Sequence, residues 1–470
     1  MNDYAAKIRR LQELGPRSSG NDAHRALIEE VALDLTDLGL DVNRDSHSFE
    51  RWDATPDQIG LTVKGRSIVL SSAWPYSGET PAAGVTGPLI MLRGRLKNWK
   101  SASGKIAVIE ARNIDVPAHL LFDTWGGELP FHTLSNPVVG SELAGTDLAR
   151  ARKAGVLGVV AIWRDLPDSA AHAQYLPFTR DYQGIPAVWA PESEADALVR
   201  AAEAGEEATL TLAADRTPGA SMDTLWAVSP GTGPQAKEAV LVVTHSDGGN
   251  AVEENGHLAL LALAHEAVTV PHNRTIVFVY TAGHLRIPAV TKHGQATTAW
   301  LDKHPELWSP TGGGLHAVAG LAIEHLGAKH YSVDSTSGHY GPSGTLEPEL
   351  LYATTAELAE LVRSTWSGVE VGKGHPVKPG PILQFGEGEP LLQHHIPAVS
   401  LITMPQYLLA ETNDDVVDID ALSRQVDSFR KLQTHLAGSV DSSAFGKVTV
   451  PGKVKKLFAA IRAFRYASSH

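Results

Sequence analysis

At 470 residues the chain is too long for one ordinary hydrophobic core, so its length predicts two domains. The composition is globular (43% hydrophobic, 20% charged), and 40 Lys and Arg against 53 Asp and Glu leave a net charge of −13, which repels phosphate backbones and argues against a nucleic-acid partner. With no cysteine, disulfides, thiolate zinc sites, iron–sulfur clusters and a cysteine nucleophile are excluded.

The N-terminal segment MNDYAAKIRRLQELG lacks the apolar region of a signal peptide, and no run reaches the length of a membrane span. A cytoplasmic protein is expected if this is the native start. Asn21 and Asp22 then cap a helix with Leu27, Val31, Leu35 and Leu38 at helical spacing. Gly39 ends it, and residues 40–49 alternate like a strand. From about 55 to 215 short strand-like runs (GLTV, RSIVLSS, KIAVIEA) are cut by Gly and Pro, followed by a helix at DLARARKAG, the strand VLGVVAIW, the strand GIPAVWA and a helix at SEADALVRAAEAG. From about 222 strands and helices alternate: TLWAVSPG, AVLVVTHSDG, a helix over 255–268, RTIVFVYTAG, a helix at ATTAWLDKH, HAVAGLAIEHLG, HHIPAVSLIT and a long helix at IDALSRQVDSFRKLQTHLAG. Such alternation predicts an α/β fold with a mixed, mostly parallel central sheet sandwiched by helices, and chemistry at the strand C-terminal ends.

Four of those ends carry polar clusters: Thr244–Asp247, Gly283–His284, Glu324–His325 and the loop 385–389. Imidazoles and carboxylates gathered at one rim of a sheet can converge on a cation.

The features GKIAVIE, ARKAGVLGVVAIW and GIPAVW resemble the protease-associated domain, a module inserted in several peptidase families. The order of the remaining elements resembles the metallopeptidase family of bacterial zinc aminopeptidases, glutamate carboxypeptidases and the transferrin receptor ectodomain. This resemblance implies a metallopeptidase-like domain from residues 1–54 and 220–445, a β-rich protease-associated-like insert at 55–219 and a basic amphipathic tail at 446–470. Members hold two zinc ions, and the match to their ligands is partial. THSDG supplies the strand-end His-x-Asp as His245 and Asp247, with Asp247 as the carboxylate that orients the imidazole. VEENGHLALL places Glu254 at the bridging Asp, and GLAIEHLG places Glu324 at the further Asp. RTIVFVYTAGHL puts His284 at the general base and Leu285 at a ligand position. FGEGEPLLQHHIPAV puts Gly388 where a late His belongs, with Glu387 in the preceding acidic slot.

Both private ligands of one metal are thus replaced by residues that cannot bind a cation. The resemblance implies one divalent ion held by His245, Glu254 and Glu324, with zinc favoured and iron, manganese or nickel compatible with the donors. His284 is either base or fourth ligand. Glu253 and His325 adjoin the expected ligands and replace them under a one-residue slip of alignment, while Glu387 and Glu389 are candidates to line a substrate pocket. His394 and His395 are expected to begin a strand in a structural role, and His257 is ambiguous. The function expected is metal-dependent hydrolysis of an amide or peptide-like bond in a small molecule or short peptide. A catalytically inactive binding protein and a lone-metal lyase or isomerase are the alternatives. Val454, Leu457, Phe458 and Ile461 at helical spacing, with basic residues between them, suggest a helix docking on its own or a neighbouring subunit, compatible with a homo-oligomer, with a membrane-surface helix as the less common alternative.

Overall fold

The computed structural model describes residues 3–94, 97–143, 148–292, 294–370, 374–380, 384–412 and 414–450. The expected tail helix falls outside them.

Period-two alternation decides where the central strand goes. In Glu238–His245, Ala239, Leu241 and Val243 pack with Trp300 and Leu301 of the helix Ala296–Lys303. Val240 and Val242 join the opposite cluster, with Leu258 and Leu263 of the helix Gly256–Thr269 and Val426 and Phe429 of Ile419–Ala437. Side chains of both parities are apolar, so both faces must be covered, and helices cover them. Each fully buried Val or Leu contributes about 1.5–3 kcal/mol relative to exposure.

Around this strand the sheet is parallel: Glu238–His245 pairs with Thr275–Thr281 on one side and His316–Ile323 on the other, and His316–Ile323 pairs with Ala398–Ile402. The antiparallel Leu350–Ala353 follows Ala398–Ile402. On the far side the long strand Glu207–Ser229 runs antiparallel to Thr275–Thr281 through residues 225–229 and to Val85–Met91 through residues 207–210. Beyond it Val85–Met91, Ile106–Arg112, Gly158–Arg164 and Ala187–Ala190 are parallel neighbours. All of these belong to one sheet, 15-stranded among the described residues. The mixed, helix-covered sheet expected from the sequence is therefore present, parallel at its centre and as often antiparallel as parallel over its full width.

Two long strands run through the breaks in composition that the sequence shows. Val42–Val63 continues past residue 55, and Glu207–Ser229 continues past residue 219. They pair antiparallel with each other, so the 55–219 segment is joined to the rest by continuous backbone ladders. It keeps a second apolar cluster of its own, from Trp52 and Leu61 to Val188 and Leu212.

The first long helix is Asp22–Asp37, with Asn21 accepting from the His24 backbone N–H as its N-cap. His394 and His395 do not begin a strand. They close the short helix Gly388–Gln393, His395 with φ 61°, because Pro397 intervenes before Ala398–Ile402. Among the described residues no helix is long and apolar enough to cross a membrane.

Candidate metal centre

Three parallel strands end at one rim, and their first residues beyond the regular ladder make the site. His245 closes Glu238–His245, Gly283–Leu285 follow Thr275–Thr281, and Glu324 and His325 follow His316–Ile323. The helix Gly256–Thr269 starts hard against this rim. A Cβ on Gly256 would strike the Ile323 carbonyl and the Thr244 hydroxyl, so only glycine lets the helix begin there.

His245 is fully buried and its Nδ1 lies 3.0 Å from the Asp247 carbonyl. A carbonyl can only accept, so Nδ1 carries the proton and Nε2 keeps its lone pair. His325 repeats the arrangement, with Nδ1 2.9 Å from the Thr403 carbonyl. Glu324 Oε1 accepts from the Glu387 backbone N–H at 2.5 Å, which frees Oε2. The Nε2 atoms of His245 and His325 and the Oε2 of Glu324 are all buried without a hydrogen-bond partner. Glu324 Oε2 lies 3.6 Å from His245 Nε2 and 4.0 Å from His325 Nε2, and one ligand atom from each residue lies within 4.8 Å of the others. Three orphaned buried acceptors facing one point make an expensive arrangement unless a cation fills it. Two neutral imidazoles and one carboxylate suit a divalent transition metal with open positions.

Burial sets the electrostatics of all three groups, disfavouring charge on each. Burial, aided by the neighbouring charge of His284, holds the His245 imidazole down to about 3, and burial with the field of His245 holds His325 well below its ordinary value. Burial and the charge of Glu387 push the Glu324 carboxyl up to about 8. Asp247, Glu253, Glu254, Glu324 and Glu387 are all buried within this region, with Arg17 and His284 as the cationic side chains among them.

Glu254 lies outside that cluster of atoms, although its Oε2 is also buried without a hydrogen-bond partner. Its Oε1 accepts from Arg17 Nε at 2.6 Å and forms a buried ion pair with the same guanidinium. Arg17 arrives from the loop before Asn21 and is 1% exposed, a partner the strand pattern could not announce. His325, the neighbour expected only under a one-residue slip, shares the cluster with His245 and Glu324. Asp247 orients His245 through its backbone carbonyl and not through its carboxylate. That carboxylate instead accepts from the N–H groups of Gly283, His284 and Leu285 and from the Ser19 hydroxyl, fixing the turn that carries His284.

His284 stacks on His245 with ring centroids 4.1 Å apart and 17° between planes, and Phe178 covers its other face at 5.3 Å. Its Nδ1 is 3.3 Å from Glu387 Oε1, while Glu387 Oε2 accepts from the Thr297 N–H. Burial alone would depress His284, but the hydrogen bond and charge of Glu387, joined by Glu253 and Asp247, raise it to about 9. Burial opposes ionisation of Glu387, and His284 outweighs it, holding that carboxylate below the usual range. Glu253 Oε2 accepts from the Gly249 N–H at 2.6 Å while burial pushes its carboxyl up to about 8. Glu389 is half-buried in the first turn of Gly388–Gln393, outside the cluster of ligand atoms.

Leu285 and Gly388, the residues that the sequence resemblance sets at ligand positions, are both tightly packed. Leu285 is 2% exposed and belongs to the main apolar cluster. At Gly388 an added Cβ would collide with the Ser400 hydroxyl and the Gln384 amide. Gly386, at φ 77°, would place a Cβ 2.5 Å from Glu324 Oε1, so glycine there makes room for the carboxylate. Asn255 clamps the turn after His325, accepting from the Leu326 N–H at 2.7 Å and donating to the Leu326 carbonyl at 2.8 Å. His257 lies against the Glu254 carbonyl through Nδ1 and takes no part in the cluster.

No family model and no curated protein sequence matches the chain. Solved structures do. A zinc aminopeptidase from Bacillus subtilis is 18% identical, with 93% of this chain and 96% of that chain covered at a TM-score of 0.60. An aminopeptidase from Aneurinibacillus sp. strain AM-1 is 16% identical over 96% of this chain and 95% of that chain, TM-score 0.60. A peptidase M28 precursor from Shewanella amazonensis is 17% identical over 95% and 94%, TM-score 0.62. The match runs nearly the full length in each case, and the chain has the zinc aminopeptidase-like metallopeptidase fold.

Proposed function

We propose that the chain is a metal-dependent hydrolase of an amide or peptide-like bond, acting on a small molecule or short peptide through a single divalent ion held by His245, His325 and Glu324. The carrying observation is the convergence of three buried, unpartnered ligand atoms at the strand ends. The zinc aminopeptidases and peptidases that share the fold support zinc as the ion and peptide hydrolysis as the class. Leu285 and the crowded Gly388 support a one-metal centre.

A divalent ion bound by this triad would supply Lewis acidity toward an amide carbonyl and an attacking water. His284 holds a proton between its ring and Glu387, so it serves first as a proton donor toward the leaving amine. Glu387 keeps that imidazole oriented, and the Asp247 carboxylate fixes its backbone. Phe178, stacked on His284, excludes water from the ring. It is carried by residues 55–219, which we read as an inserted protease-associated-like unit. Its own apolar cluster supports that reading.

Burial of the triad (His245 0%, Glu324 1%, His325 2% exposed) favours a second reading, a binding protein whose ion is structural. Elemental analysis of purified protein, with a hydrolysis screen over small amides and dipeptides, separates the two. The hydrolase reading expects about one bound ion per chain and turnover that disappears on chelation. Tightly held metal with no turnover on any substrate would favour the second.

A further inference from the structure

Two carboxylates on the segment Glu347–Pro348–Glu349 meet opposite surroundings, Glu349 buried and Glu347 half-buried. Glu349 accepts from Trp366 Nε1 at 2.9 Å, Val369 N–H at 3.3 Å and Gln425 Nε2 at 2.6 Å. For Glu347, among the described residues, no hydrogen bond or ion pair reaches the carboxylate, and burial alone pushes it up to about 8. The adjacent amine cannot compensate, because Lys329 is paired with Asp415 at 2.8 Å. His330 Nδ1 is engaged with Ser343, and burial depresses that ring.

Glu347 lines a cavity of about 240 Å³ together with Phe131, His330, Tyr331 and Met404. Tyr331 is set by two further rings, Tyr340 at 5.6 Å and Tyr407 at 4.8 Å, and the Tyr340 hydroxyl is itself buried without a partner. Aromatic faces and a thioether present negative potential to whatever enters, and a cation seated there would hold the Glu347 carboxyl ionised. A lone carboxylate is too few ligands for a metal ion. The volume is below that of drug-sized pockets.

We propose that this cavity binds a small alkylammonium group, such as an aminoalkyl side chain or a chain-terminal amine, with Glu347 as counter-ion and Phe131 and Tyr331 as walls. An ammonium places its charge against the half-buried carboxylate and its alkyl stem against the rings, which satisfies the acid and the apolar lining together. The site is independent of the metal triad, although Met404 adjoins Thr403, whose carbonyl holds His325.

Calorimetric titration of the full chain with n-butylammonium and, separately, n-butanol tests this. Saturable binding of the amine is expected, with the alcohol at least about tenfold weaker, since a charge-assisted contact is lost. Glu347→Gln should weaken the amine by about tenfold or more and leave the alcohol unchanged, and Tyr331→Leu should weaken the amine while the protein stays folded. Asp415→Asn releases Lys329 to compete for the carboxylate and should weaken the amine, whereas His245→Ala should retain amine binding, which separates this site from the metal reading. Equal binding of amine and alcohol, no saturable binding, or an amine affinity indifferent to both Glu347→Gln and Tyr331→Leu would overturn the proposal.

Discussion

Glu324 and His325 are neighbours in sequence, and their Oε2 and Nε2 atoms lie 4.0 Å apart. On an extended strand consecutive side chains point to opposite faces. The alternation fails here because the strand ends at Ile323 and His325 sits at φ 57°, in the left-handed region that a non-glycine residue seldom adopts. The His325–Thr403 hydrogen bond and the Asn255 clamp hold that conformation. Backbone strain of about 1–3 kcal/mol at such a residue persists when the surroundings over-determine it, and it concentrates at functional sites.

If that geometry serves an ion, both imidazoles are required. His245→Ala and His325→Ala should each release the metal on dialysis, read by elemental analysis, while circular dichroism shows the fold intact. Metal retained at the wild-type level in His325→Ala would remove the triad.

Glu254 supplies the contrasting case. It precedes the helix that abuts the same rim, yet its Oε1 is paired with Arg17. Removing one partner of a buried ion pair costs about 3–5 kcal/mol, because the other charge is left unpaired. Glu254→Gln should therefore lower stability in chemical denaturation by roughly that amount and keep the metal content of the wild type. Replacing both partners with apolar residues, Arg17→Met with Glu254→Leu, should recover much of the loss. A folded Glu254→Gln protein that has lost its ion would show that Glu254 is a ligand after all.

His284 should be dispensable for metal and needed for turnover. Its ring touches His245 but makes its hydrogen bond to Glu387. His284→Gln should retain the ion and reduce kcat by about 10²–10⁴-fold, the range for a general acid–base group. Glu387→Gln should weaken the same step by lowering the proton affinity of His284, with metal content again unchanged. Unaltered kcat in both variants, measured on the best amide from a substrate screen, would remove His284 from the chemistry.

The strands of the sheet were legible in the sequence because apolar runs such as AVLVVTH and TIVFVYT admit few other structures, and the rim follows from where those runs stop. His245 and Glu324 were legible for the same reason. His325 entered only as an alternative, since its place in the cluster depends on one backbone dihedral and on Thr403, 78 residues away. The Arg17–Glu254 pair was invisible for a related reason: it joins positions 237 residues apart, and nothing in VEENG distinguishes a carboxylate that meets an ion from one that meets a guanidinium. A clue did exist in FGEGEP, where glycine at 386 leaves room beside Glu324 and glycine at 388 is required by Ser400 and Gln384.

Glu347 gives the chain a pH dependence with a definite sign. Its folded pKa of about 8 stands above the ordinary carboxylate value, so between roughly pH 4.5 and 8 the native state binds more protons than the unfolded chain. Stability contributed by the neutral form is complete below the unfolded value and is lost as pH rises through the folded one. Glu347→Gln keeps the shape and removes the titration. Compared with wild type, the variant should therefore have a higher Tm at pH 8 and a difference that shrinks toward zero near pH 5. Butylammonium acts in the opposite sense, stabilising the ionised carboxylate, so saturating amine should raise the wild-type Tm most at pH 8 and leave the variant unmoved. A Tm difference between wild type and Glu347→Gln that stays constant across this range would mean that the carboxyl titrates normally and is not desolvated in the folded protein.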